Sequence, residues 1–232
     1  MTIKDFPIIY HLGLKLKHSK WMERTKKHIS AYLRSHKEAK IQLGAGQNKL
    51  EGWFNTDYFP RHEIYFLNST KAIPAPANSF DYAFSEHHIE HIHLNDAKFL
   101  AKEIHRILKP GGVFRVCTPN LLTYLEAYFE KDPMNNPYVS DTINDWIKGG
   151  FYNAKNYAPA ENEESVAFFV NDIFLNYDHK FIFDGQTLSQ MLLNAGFSST
   201  RLCQANESSI VALSGIEAHV PSKYTLVVEA VK

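Results

Sequence analysis

Between about Ser19 and Lys37 the apolar positions Trp21, Met22, Thr25, Ile29, Tyr32 and Leu33 recur at helical intervals among lysines and arginines. That spacing predicts an amphipathic helix with a basic outer face. Shorter apolar runs follow, each bounded by turn residues. Ile41–Leu43 reads as a strand ending in the glycine turn Gly44-Ala45-Gly46, Gly52–Asp57 as a second strand, and Ile64–Leu67 as a third. Pro74 and Pro76 make 73–79 a loop, after which Phe80–Phe84 is a strand leading into a helix from about Glu90 to Leu108. Lys109-Pro110-Gly111-Gly112 stops that helix and turns the chain into a strand over Val113–Thr118.

Toward the C-terminus, Leu188–Ala195 reads as a helix closed by Gly196. A strand near Thr200–Gln204 follows, and Tyr224–Ala230 is expected as its antiparallel partner. Strands alternating with helices predict an α/β protein, a largely parallel sheet with helices on both faces. The expected organisation is one domain over 1–232, with an N-terminal helical extension at 1–39. An aromatic-rich insertion at 121–178 is expected over the ligand edge of the sheet.

Composition narrows the function classes. The chain has 232 residues, 44% of them hydrophobic and 22% charged, which suits a globular protein with a substantial core. Its 25 basic and 25 acidic residues cancel, which excludes a surface built throughout for nucleic acid, and no DNA partner is expected. The local basic run Lys15, Lys17, Lys20, Arg24, Lys26, Lys27, Arg34, Lys37 and Lys40 is read first as a solvated helix face. An anionic partner, whether lipid headgroup, phosphorylated carrier or RNA, is its alternative. Cys117 and Cys203 form no disulfide framework and no paired metal spacing. The N-terminus lacks the pattern of a signal peptide and no run approaches the ~20 apolar residues of a membrane span, so the cytoplasm is the expected location.

Gly44 and Gly46 directly after a strand allow a tight turn and close approach of backbone N–H groups to a ligand. Asp57 ends the next strand, where a carboxylate can accept two hydrogen bonds from a ribose. A nucleoside-containing cofactor is implied. A dinucleotide is disfavoured, because Lys49 stands where the third glycine of that fingerprint belongs and Asp57 follows Gly46 by only 11 residues.

The motifs in order are Leu43-Gly-Ala-Gly46, Gly52-Trp-Phe-Asn-Thr-Asp57, Ser79-Phe-Asp81, Ser85-Glu-His-His-Ile-Glu-His91 and Leu108-Lys-Pro-Gly-Gly112. This series resembles the type 11 class I S-adenosylmethionine-dependent methyltransferases over roughly residues 40–120. The likeness returns more weakly at His179–Asp184 and Leu192–Phe197. It implies a Rossmann-like doubly wound sheet with an antiparallel C-terminal strand, and S-adenosylmethionine as cofactor. By the same resemblance Leu43, Gly44, Ala45 and Gly46 would line its methionine part. Asp57 would hold the ribose, Tyr58, Asn68 and Ser69 would lie by the adenine, and Ser85, Glu86 and His87 would form the floor beneath the sulfonium. Two departures stand out: Gln42 replaces an acid common before the glycine turn, and Asn48 stands where some members have a third glycine.

A sulfonium methyl is already activated, so positioning and water exclusion dominate, with a base wanted for an oxygen acceptor. His87, His88 and His179 are the candidate bases, His87 first. A small molecule or glycan, a sugar hydroxyl in the first place, is the expected acceptor. Two rivals are a methyltransferase-like module that binds cofactor or partner without turnover, and a zinc hydrolase. The latter rests on His87-His88-Ile-Glu90-His91, which matches a zinc-protease pattern if His87 and His91 share a helix face, with His93 nearby. No metal is expected, because the cluster sits between a strand and a Lys-Pro-Gly-Gly turn.

Overall fold

The run Lys40–Leu43 forms β1, a central strand buried on both faces, with Ile41 and Leu43 in the core on one and Gln42 on the other. It pairs in parallel with β2 (Phe54–Asp57) on one side and β4 (Phe80–Glu86) on the other. β3 (Ile64–Phe66) extends the sheet beyond β2, and β5 (Leu108–Pro119) beyond β4. β6 (Ser199–Cys203) and β7 (Thr225–Val231) complete the order β3-β2-β1-β4-β5-β7-β6, with β7 antiparallel to both β5 and β6. The computed structural model describes residues 7–150, 153–160, 165–218 and 224–232, with side chains from residue 16 onward.

Strand order reverses between β1 and β4, which opens a crevice at their C-terminal ends, the usual ligand position in sheets of this type. The doubly wound, mostly parallel sheet with antiparallel C-terminal strands is as the sequence predicts. One element of the expectation is corrected. The described helices that pack on the sheet, α1 (Pro7–Ser35), α2 (Leu94–Ile107) and α6 (Gly185–Asn194), contribute to one shared core with Leu43, Ala83, Phe114 and Val228. The opposite face, with Phe84, Val113, Cys117 and Val227, is covered by Trp53, Leu213 and the chain around Ile210–Ile216 instead. The cause is connection length: the segments joining β1 to β2 and β2 to β3 are too short for a crossover helix.

On α1 the predicted face holds. Thr25 and Ile29 are buried, and Trp21, Met22, Tyr32 and Leu33 half-buried, while Lys17, Lys20, Arg24, Lys26, Lys27 and Arg34 face solvent. Thr25 Oγ1 donates to the Phe66 carbonyl at 2.7 Å, fixing α1 against β3. Lys15 has no described side chain. Among the described residues no helix is long and apolar enough to cross a membrane.

The insertion forms α3 (Leu121–Phe129), α4 (Pro137–Asp141), a π-helical turn over Thr142–Ile147 and α5 (Val166–Leu175). Its own core of Tyr124, Val139, Ile143, Phe169 and Ile173 closes on Tyr224 at the start of β7. The insertion thereby becomes the wall of the crevice.

Candidate active site

A cleft of about 1300 Å³ opens at the C-terminal ends of β1, β4 and β5. Pockets for a single drug-sized ligand run to roughly 1,000 Å³, so this one has room for a cofactor and a second molecule. Gly44, Ala45, Gly46, Glu86, His87 and His179 all line it. Among these sequence-selected residues the fold therefore brings together both the glycine turn and the end of β4.

Gly46 has φ +54° and no atom within 4 Å of where a Cβ would stand, so the space beside the turn is open to a ligand, while its N–H and carbonyl are paired with Asp57 and Arg61. Gln42, which also lines the cleft, donates from Nε2 to the Asn48 carbonyl at 2.9 Å while its Oε1 is buried with no hydrogen-bond partner among the described residues. A buried orphan carbonyl is costly unless a ligand donor reaches it. The unpaired acceptor at this end suits an ammonium group beside an open glycine turn, which fits the amino-acid part of S-adenosylmethionine.

Gly44 has a different reason for being glycine. At φ +65° its missing Cβ would lie 2.6 Å from three atoms of the His88 ring and Cβ. Gly44→Ala is expected to destabilise by roughly 2–5 kcal/mol, combining left-handed strain with overpacking. Urea unfolding should show the loss, and Gly44→Ala/His88→Ala should recover its steric part.

His88 is thus placed beneath the turn, not in the cleft. Ser69 Oγ lies 3.0 Å from its Nε2 and Ser85 Oγ 3.4 Å from its Nδ1, and burial pushes its pKa down. This removes it from the candidate bases and gives Ser69 and Ser85 a packing role around it. Leu43 is fully buried in the core.

Asp57, Tyr58 and Asn68 lie outside the cleft lining, on the side toward β3. Asp57 Oδ2 accepts from the Gly46 N–H at 2.9 Å and Oδ1 from the Phe59 N–H at 2.8 Å, so its carboxylate pins the glycine turn to β2. Each oxygen retains a second lone pair for a ribose hydroxyl. Tyr58 is exposed and meets His18 edge-on at 5.4 Å. Asn68 Oδ1 is already engaged by Thr70, through its N–H at 3.0 Å and Oγ1 at 2.8 Å.

His87 has φ +45°, a left-handed conformation uncommon for any residue but glycine. Its N–H donates to the Cys117 carbonyl at 3.0 Å. Its Nδ1 lies 3.1 Å from Oε1 of Glu90, which is fully buried and accepts Thr118 Oγ1 on Oε2 at 3.0 Å. Burial works to raise the Glu90 pKa, yet the hydrogen bond and charge of His87, with that of His91, hold it below the usual carboxylate range. An ionised carboxylate on Nδ1 fixes that nitrogen as the donor and places the imidazole lone pair on Nε2.

The zinc-protease reading fails on local geometry. After the left-handed His87 comes a 3-10 turn over Ile89–His91, and α2 begins only at Leu94, so His87 and His91 do not share a helix face. The same turn explains why the helix expected from Glu90 starts four residues later.

The second half of the cleft is aromatic and acidic. Tyr124, Tyr138, Trp146 and Tyr177 line it with Asp141, Asp172 and Asp178, and no lysine or arginine among the described residues does. Asp172 Oδ1 accepts from Tyr157 at 2.6 Å and Asn176 at 2.9 Å, and burial raises its pKa. Asp172 escaped the sequence reading, and Glu90 entered it only as part of the zinc-protease pattern. A lone acid inside the mostly apolar α5 was the available signal for the former.

Residues 43–116 match the profile of a family described as a methyltransferase domain. Over that stretch the chain resembles a methyltransferase domain. A protein of Mycolicibacterium smegmatis named "Probable S-adenosylmethionine-dependent methyltransferase" is 35% identical over 86 residues, 37% of this chain and 31% of that protein. The chain thus spans about a third of the length of that curated relative. Among solved structures, a SAM-dependent methyltransferase from Archaeoglobus fulgidus is similar at 14% identity and TM-score 0.48, covering 94% of this chain and 99% of that one. Another from Thermotoga maritima is similar at 15% identity and TM-score 0.47, covering 93% and 95%. The methyltransferase profile ends inside β5, so the aromatic and acidic wall of the cleft lies outside it.

Proposed function

We propose that the protein transfers a methyl group from S-adenosylmethionine to a small acceptor that carries no phosphate, a sugar hydroxyl in the first place. The observation that carries the reading is the cleft at the β1/β4 reversal, with the open Gly46 and the orphan Gln42 carbonyl at one end and the aromatic, acidic wall at the other. When bound, S-adenosylmethionine supplies a methyl activated by its sulfonium charge.

The chain's own residues do the rest. Gly46 and Gln42 hold the amino-acid end, with Asp57 beside them for the ribose. His87, held by Glu90, takes the proton of an acceptor hydroxyl at Nε2. The tyrosines and Trp146 offer apolar faces to a sugar ring and exclude water, while Asp172 and Asn176 offer hydrogen bonds to hydroxyls. An acidic wall with no lysine or arginine among its described residues repels phosphate, which argues against a phosphorylated acceptor.

The test is formation of S-adenosylhomocysteine with a panel of neutral glycosides, their phosphorylated counterparts and small amines. Neutral glycosides are expected to exceed the phosphorylated forms at least tenfold in kcat/KM. Preference for the phosphorylated forms would contradict the acceptor assignment, and preference for amines would move it to an ammonium acceptor read by the same carboxylates.

A further inference from the structure

Glu90, His91 and His179 come from a turn after β4 and from the segment before α6, and the fold closes them into one cluster at the cleft. Their ligating atoms all lie within 4.8 Å of one another, and the two imidazole rings stand 4.8 Å apart at 55°. The two segments are tied independently of the side chains: the N–H groups of Lys180 and Phe181 donate to the Glu90 carbonyl at 2.7 and 3.2 Å. The juxtaposition is therefore built into the backbone.

We propose that Glu90, His91 and His179 bind one divalent transition cation of the zinc type in the cleft. The chemistry of each group is already set for it. His179 Nδ1 lies 2.5 Å from the Ile173 carbonyl, and since a carbonyl only accepts, Nδ1 carries the proton and Nε2 the lone pair. This is the outer hydrogen bond that orients a ligating histidine. Glu90 is buried, and its bonds from His87 and Thr118 leave a second lone pair on each oxygen. His91 is exposed on the cleft side and is the ligand able to swing inward.

Metal–ligand bonds of ~2.1 Å set neighbouring ligand atoms roughly 3–3.5 Å apart, so closure needs about an ångström of side-chain rotation. Two imidazoles and one carboxylate select zinc, cobalt or iron(II) over magnesium or calcium, whose sites are all-oxygen. Three protein ligands leave a position open to the cleft. This is a different site from the His87–His91 pair suggested by the local motif, and it stands whether or not the chain transfers methyl groups.

The experiment is titration of the full chain, freed of metal by chelation, with Co²⁺ followed by its visible absorption, and with Zn²⁺ as competitor. One equivalent per chain is expected, with binding weakened at least tenfold by His91→Ala and by His179→Gln. His62→Ala, an exposed histidine outside the cluster, should leave binding unchanged. Should His179→Gln fail to fold, the exposed His91 decides alone. Absence of stoichiometric cobalt or zinc binding overturns the proposal, as does binding that His91→Ala leaves intact.

Discussion

Arg115→Ala is expected to lower folding stability by about 3–5 kcal/mol, a large share of the 5–15 kcal/mol typical of a domain. Arg115 sits mid-strand in β5 and is fully buried. Its Nε meets Glu217 at 2.5 Å and its Nη1 meets Glu229 at 2.7 Å, while the carbonyls of Glu207 and Gln204 accept from Nη1 and Nη2 at 3.1 Å. Removing the guanidinium takes the shared cation from two buried carboxylates, of which Glu229 keeps Arg201 and Glu217 the Asn206 N–H, and a donor from two carbonyls, which is costlier than losing the attraction itself. The same residue holds the coil that replaces helices on that face, so its loss should also loosen the chain around 204–217. Urea unfolding followed by circular dichroism measures the effect.

Acid should narrow the difference. Burial acts to raise the Glu229 pKa, but hydrogen bonds from Ser208, Arg201 and Arg115 leave it lowered. A carboxyl lowered on folding contributes stability above its unfolded pKa of about 4.3 and loses it as pH falls through the folded value. Wild-type stability should therefore be held above about pH 5 and decline below about pH 4. Arg115→Ala should decline less, so the gap shrinks. A gap that widens in acid would mean that the carboxylates are not the stranded groups.

His87→Asn is expected to lower kcat roughly 10²–10⁴-fold for a hydroxyl acceptor, the usual worth of a positioned general base. Asparagine is the informative replacement because it tolerates the left-handed backbone that His87 adopts at φ +45°. Binding of S-adenosylhomocysteine should change no more than about threefold, since the proposed hold on its amino-acid end is at Gly46 and Gln42. Calorimetry and turnover on the same preparation separate the two effects. An unchanged kcat would assign His87 to the architecture of the turn alone.

How much of this was legible in the sequence differs by element. The buried face of α1 was readable because Trp21, Met22, Thr25, Ile29, Tyr32 and Leu33 are all local signals at one period. The glycine turn and the order of strands were readable for the same reason. What escaped depends on distance along the chain. Nothing in the sequence places His179 against His91, a contact made by the insertion folding back over β4. Nor does a Gly-x-Gly pattern reveal that Gly44 makes room for His88 while Gly46 faces the cleft. Both are glycines at positive φ, and only tertiary packing separates their roles. The coil-covered second face escaped because alternation of strands and helices says which elements exist, not which side of the sheet each one covers.

The central claim is that the glycine turn of this methyltransferase-like domain binds S-adenosylmethionine. Isothermal titration of the purified chain with S-adenosylmethionine and with S-adenosylhomocysteine, repeated on Asp57→Ala, tests it most directly. The account predicts micromolar binding of both, weakened at least tenfold by the substitution, about 1.4 kcal/mol, as the ribose contact and the pin on Gly46 are lost together. Absence of binding to either ligand by the folded wild-type chain would contradict it.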